Sequence, residues 1–76
     1  MTGTITVATH SQWETSSLLR KLRGSGAYAI QLDHANWLVR GSLARHTVAD
    51  FERLVGEWAL EEGTRVPAVV LGEAVQ

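Results

Sequence analysis

A capped amphipathic helix in the C-terminal half is the feature that most constrains what this chain can fold into. Thr47, with Asp50 three residues later, has the pattern of a helix N-cap, and Gly63 is typical of a residue at which a helix ends. Between them, apolar residues recur at the i, i+3, i+4, i+7 spacing of one buried helical face. They are Val48, Phe51, Leu54, Val55 and Trp58. The spacing predicts a helix over 48–62 with Trp58 in the core.

A first helix is predicted in the N-terminal half. Ser11, with Glu14 three residues on, forms a capping box, which marks a helix start. We expect this helix to run to about Leu22 or Arg23. The segment 24–26, Gly-Ser-Gly, stops it because glycine tolerates the left-handed conformation of a helix C-terminus.

Four short segments have the pattern of β-strands. In 4–8, Ile5 and Val7 alternate with polar or small residues, and 66–71 is an apolar run in which Pro67 restricts the strand to a sheet edge or to a strand start. In 28–33 the large apolar residues Tyr28, Ile30 and Leu32 stand at every second position, so they share one face of the predicted strand. The segment 37–40 is apolar on both parities at its start, and 33–36 between these two is rich in turn formers, which predicts a hairpin.

The predicted order of elements is βαββαβ over a single domain, residues 1–76. This order resembles the ferredoxin-like topology, an α+β fold. The resemblance implies a four-stranded antiparallel sheet in the order 4-1-3-2, with two helices on one face. It places the last strand at an edge, where Pro67 is tolerated. A three-stranded sheet with a loose C-terminal tail is the alternative architecture.

Composition excludes several classes of protein. The 76 residues include no cysteine, so a disulfide, a thiolate nucleophile and a cysteine-based zinc site are all impossible. Small secreted domains usually need disulfides, so we expect a cytoplasmic protein. We also expect neither a signal peptide nor a membrane span, because no apolar run is long enough. The formal charge of −1 means that any nucleic-acid contact would require a local basic patch.

Signatures of catalysis and of cofactor binding are missing from the sequence. No serine has an adjacent base, no phosphate-binding glycine loop is present, and we expect no enzyme and no cofactor. His10, Asp33 and His34 approach one end of the predicted sheet, with Glu61 and Glu62 of the second helix. No metal-ligand spacing joins them, so we expect no metal site. A small dimeric enzyme using His10, Asp33 or His34 remains the least favoured alternative.

Exposed apolar residues suggest a surface for a protein partner. Trp13 lies roughly opposite the leucine face of the first helix, in line with Arg20, and Leu60 points away from the apolar face of the second helix. Trp37 is placed either in the core or on the open face of the sheet. Tryptophan and arginine are enriched at binding hot spots. We expect partner contacts at Trp13, Arg20, Trp37 and Leu60, with another protein or with a second copy of the chain.

A second surface is defined by positive charge. Under the ferredoxin-like topology, the end of the first helix and the start of the second lie at the same end of the sheet. This basic pole comprises Arg20, Lys21, Arg23, Arg45 and His46. Arginines beside a helix N-terminus favour anions.

Two functions follow from these surfaces. The first is a small non-catalytic binding or regulatory module, acting through protein–protein contacts as an adaptor, an inhibitor or a homodimer. The alternative is a module that binds nucleic acid or a phosphorylated ligand through the basic pole. No membrane partner is expected.

Overall fold

The computed structural model describes residues 3–33 and 37–72. It contains six elements in the predicted order: β1 (Thr4–Ala8), α1 (Gln12–Gly24), β2 (Ala29–Asp33), β3 (Leu38–Ser42), α2 (Val48–Glu62) and β4 (Val69–Leu71). The arrangement is that of an α+β ferredoxin-like fold, which confirms the predicted fold class.

The four strands form one antiparallel sheet in the order β2-β3-β1-β4. β3 lies between β1 and β2, with Val7 opposite Val39 and Ala29 opposite Gly41. β4 is an edge strand, as predicted. It is shorter than the predicted 66–71, because the first three residues of that segment, Pro67 among them, lie outside the sheet.

Both helices cover the same face of the sheet and enclose one core. The sheet contributes Ile5, Val7 and Val39, and the helices contribute their predicted apolar faces. Those helical residues are Leu18, Leu19, Leu22, Phe51, Leu54, Val55, Trp58 and Ala59. The predicted core position of Trp58 is confirmed, and its indole Nε1 donates to Ser17 Oγ at 3.0 Å, which joins the two helices.

The helix ends match the capping signals closely. Thr47 and Asp50 form a complete capping box, and Gly63 ends α2 with a φ of 70°. Ser11 caps α1 as predicted, but the predicted capping box is only half formed, because the Glu14 carboxylate accepts from His10 N–H at 2.9 Å instead of from Ser11 N–H. The C-terminal boundary of α1 differs, because the helix continues through Gly24 and the left-handed residue is Gly26, with a φ of 86°.

The apolar parity of β2 is opposite to the expected one. Ala29 is in the core with 2% of its surface exposed, whereas Tyr28 is 69% and Ile30 38% exposed. The inversion follows the register: Ala29 pairs with Gly41 on the helix-covered face, where the Phe51 ring fills the space next to Gly41. The larger residues of β2 therefore lie on the open face.

The sequence predicts that Trp37 is the first residue of β3, but this is wrong, because the strand begins at Leu38. The φ of Trp37 is 53°, a left-handed conformation that a strand does not use. Its carbonyl oxygen accepts from the backbone N–H of Thr9 at 3.0 Å and lies 2.8 Å from the Thr9 hydroxyl, which is also 2.6 Å from the Thr15 hydroxyl. These hydrogen bonds hold the Trp37 backbone against Thr9, just beyond the end of β1.

Candidate anion-binding site

Two chain connections meet at one end of the sheet. The connection between α1 and β2 lies beside the connection between β3 and α2, and Ser42 N–H donates to Tyr28 C=O at 2.9 Å where they touch. Between them is a pocket of about 390 Å³. Its lining is Arg23, Gly26, Ala27, Tyr28, Ser42, Ala44, Arg45 and His46. Three of the five residues of the predicted basic pole therefore line one cavity.

The two arginines of the pocket have charge to offer a ligand. Arg23 Nε donates to Ala29 C=O at 2.9 Å, which anchors the side chain and leaves its two terminal nitrogens available. Within residues 3–33 and 37–72, neither Arg23 nor Arg45 forms an ion pair with a carboxylate.

Lys21 was predicted to belong to the same pole, but the structure places it elsewhere. Its ammonium lies 3.1 Å from Glu61 and 3.5 Å from Glu57, both on α2. The hydrogen bond to Glu61 is the main reason that the pKa of Lys21 is raised above 10.5. Lys21 joins the two helices and does not line the pocket.

Arg20 lies next to the pocket but outside it. It lines a shallower depression of about 560 Å³ together with Arg23, which belongs to both cavities. Among the described residues, Arg20 also has no carboxylate partner. Arg20, Arg23 and Arg45 therefore form a basic strip that runs from the outer face of α1 into the pocket.

His46 contributes a ring that is partly buried at the pocket wall. Its ring centroid lies 5.9 Å from that of Phe51, in a tilted arrangement. Its Nδ1 is buried and has no hydrogen-bond partner within the described part of the chain. A buried ring nitrogen without a partner is unusual, because such groups normally make a hydrogen bond.

The N-terminus of α2 contributes less to the site than its position suggested. Asp50 accepts from Thr47 N–H at 3.0 Å, and Thr47 Oγ1 accepts from Asp50 N–H at 3.1 Å. The hydrogen bond from the Thr47 backbone is the main cause of the lowered pKa of Asp50. A carboxylate of the protein already occupies this helix end, so the arginine side chains would have to hold the ligand.

A shallow groove on the open face of the sheet adjoins the pocket. It measures about 210 Å³ and is lined by Thr4, Tyr28, Ile30, Arg40, Gly41 and Ser42. Tyr28 and Ser42 border both the groove and the pocket. The sequence had not marked Tyr28 as a site residue. Only the register of β2 against β3 brings them together.

The predicted partner-binding residues are distributed over both helices and the residue that precedes β3. Trp13 and Leu60 are exposed, at 64% and 83%, as predicted. Ser17, one turn beyond Trp13, contacts both Trp58 and Glu62, so Trp13 and Leu60 lie toward the same end of the helical layer. Arg20 is exposed on α1, whereas Trp37 is half-buried and precedes β3.

The residues weighed as metal ligands do not assemble in the part of the chain that the structure describes. No group of three or more His, Asp or Glu side chains arranged to hold a metal occurs there. His10 Nδ1 is 3.4 Å from Glu14, whose carboxylate also accepts from the His10 backbone N–H at 2.9 Å. Asp33 ends β2, and His34 lies outside the described residues.

Comparison with protein-family models, with curated proteins and with solved structures finds no match to this chain. In the described residues, no helix is long and apolar enough to cross a membrane. The fold and the pocket are therefore the observations on which a function has to rest.

Proposed function

We propose that this domain is a non-catalytic binding module that holds a small phosphate-bearing ligand between Arg23, Arg45 and His46. One observation supports this choice over the other surfaces. Lys21 and Arg53 pair with glutamates on α2, whereas the arginines that line the pocket pair with no described carboxylate. The charges of Lys21 and Arg53 are thus neutralised, whereas those of Arg23 and Arg45 remain available at the cavity.

The size and chemistry of the pocket suit such a ligand. Small-molecule sites typically measure about 300–1,000 Å³, and the pocket has about 390 Å³. Arginine presents planar N–H donors that match the oxygens of phosphate in pairs. The hydroxyl groups of Tyr28 and Ser42, which also line the pocket, can donate further hydrogen bonds.

The proposal is tested by calorimetric titration with inorganic phosphate and pyrophosphate at low and at high salt. We expect binding that weakens with salt, because the pocket is open to solvent and its charges are screened. Arg45→Gln should weaken pyrophosphate binding about tenfold or more. It removes a charge-assisted hydrogen bond, which contributes about 1.5–3 kcal/mol.

Arg65→Gln is the matched control for the change at Arg45. It removes the same charge from an exposed arginine that does not line the pocket. Equal losses in the two variants would mean that only net charge matters. No binding of either anion by the unmodified protein would overturn the proposal.

A protein partner at the helical layer is the second candidate function. The exposure of Trp13 and Leu60 toward one end of that layer supports it. A contact with aromatic anchors should change little with salt, unlike anion binding. Sedimentation analysis at rising protein concentration tests the homodimer directly, and Trp13→Ser should abolish any self-association that is seen.

The cytoplasm is the proposed location. The absence of cysteine supports it, because a secreted domain of this size would usually rely on disulfides. The non-catalytic role is supported by the sequence, in which no nucleophile is paired with a base.

A further inference from the structure

We infer that the ligand is a small organic phosphate with an aromatic body, whose phosphate lies in the pocket and whose ring lies in the groove on the open face. This inference rests on the proposed function, since it requires the pocket to hold the phosphate. It adds the class of molecule to which that phosphate belongs.

The adjacency of the two cavities is the first argument. Tyr28 and Ser42 line both, so these two residues form the border between the pocket and the groove. Ser42 N–H donates to Tyr28 C=O at 2.9 Å, which holds the ends of β2 and β3 together at this border. A ligand bound at Arg23 and Arg45 can extend over Tyr28 without leaving the protein surface.

The chemistry of the groove is the second argument. The Tyr28 side chain is exposed at the border, and Ile30 lies beyond it on the same strand face. Ile30 pairs with Arg40 across the strands, so an arginine side chain lies beside an aliphatic one in the groove. Aromatic rings stack on tyrosine faces, and an isoleucine side chain packs against the ring edge.

The size of the groove is the third argument. At about 210 Å³ it is smaller than the roughly 300 Å³ at which independent small-molecule sites begin. It is therefore better suited to be an extension of the pocket that accepts one ring system than to be a site of its own.

Four probes test the inference: inorganic phosphate, butyl phosphate, phenyl phosphate and adenosine 5′-monophosphate. We expect an aromatic phosphate to bind about tenfold more tightly than inorganic phosphate, since stacking of one ring on an aromatic side chain contributes about that much or more. Phenyl phosphate carries its ring directly on the phosphate, whereas the nucleotide separates the two. The tighter of them gives the spacing between the anion and the ring.

Variants locate the ring. Ile30→Thr should remove most of the gain in affinity for the aromatic phosphate and leave inorganic phosphate binding unchanged, because Ile30 lines the groove and does not line the pocket. Val70→Thr is the control, since Val70 is exposed on the same face of the sheet but does not line the groove. Equal effects of the two changes would overturn the inference.

The outcomes separate this inference from the proposed function. If inorganic phosphate binds and neither aromatic phosphate binds more tightly, the proposed function is supported and the inference of an aromatic ligand is wrong. Butyl phosphate binding as tightly as the aromatic probes also overturns it. If no probe binds, the proposed function fails first.

Discussion

The ring of Phe51 lies directly over Gly41, so close that a β-carbon at Gly41 would come within 2.7 Å of Phe51 Cε1. Glycine in the middle of a strand usually marks a place where another group approaches closely. Here the approach lets α2 pack near the centre of the sheet. It also positions the start of α2, and with it His46, whose ring contacts Phe51.

Gly41→Ala is expected to destabilise the domain. The added methyl group would also lie 3.1 Å from Ile5 Cδ1, so it cannot be accommodated by moving the phenyl ring alone. Overpacking of this kind typically costs about 1–3 kcal/mol. Urea denaturation measures the loss. Phe51→Leu in the same chain should recover part of it, and strictly additive effects of the two changes would contradict the contact.

Trp58 and Leu60 lie two residues apart on α2, but truncating their side chains should affect stability very differently. Trp58 is 1% exposed, whereas Leu60 is 83% exposed. Trp58→Ala should cost about 3–5 kcal/mol, as large core truncations do. Leu60→Ala should change stability by no more than about 0.5 kcal/mol. Thermal melting of both variants checks this, and similar melting temperatures would mean that the helix packs by another face.

Asp50 makes stability depend on pH in acid. Its pKa is lowered in the folded protein, chiefly by the backbone hydrogen bond from Thr47, so the carboxylate form is favoured by folding. This contribution is fully present above the ordinary value of 3.8 and is lost as the pH falls through it toward the lower folded-state value. Asp50→Ala should therefore be less stable than the unmodified protein at neutral pH, with the difference shrinking in acid.

Glu52→Ala is the control for the change at Asp50. Glu52 is exposed on the same helix and makes no side-chain hydrogen bond or ion pair with the described residues. The stability of the Glu52→Ala variant should equal that of the unmodified protein across the acid range. If Asp50→Ala is less stable than the unmodified protein by the same amount down to low pH, the capping box does not act through charge.

Helix caps made the helices predictable, whereas the sheet depended on contacts that no local pattern contains. Thr47, Asp50 and Gly63 act within their own turns, so the limits of α2 follow from the sequence. The parity of β2 could not be inferred in the same way. Tyr28 and Ile30 have a strand pattern whichever face they occupy, and the register against Gly41 selects the face.

The candidate site was predicted only in part for the same reason. Arg23, Arg45 and His46 were expected at one end of the fold because the order of elements brings two connections together there. Lys21, adjacent in sequence to this group, is directed to α2 by Glu57 and Glu61, and helix-to-helix pairing of this kind has no local signal. Its charge alone could not indicate which partner it has.

His46→Phe separates the binding role of His46 from its packing role. Phenylalanine keeps a ring against Phe51 and removes both ring nitrogens, including the buried Nδ1 without a described partner. We expect stability to be unchanged or slightly higher, because burying a polar atom without a hydrogen bond is unfavourable. Phosphate affinity should fall about three- to tenfold with the loss of one donor. Calorimetry and thermal melting on the same sample measure both, and unchanged affinity would remove His46 from the site.

The most direct test of the binding pocket is a ¹H–¹⁵N NMR titration of the full chain with inorganic phosphate at low and at high salt. The account predicts shift changes confined to residues 23–28 and 42–47, the two connections that line the pocket, and their loss at high salt. Shifts at Arg65 or along α2, or none at all, would contradict it.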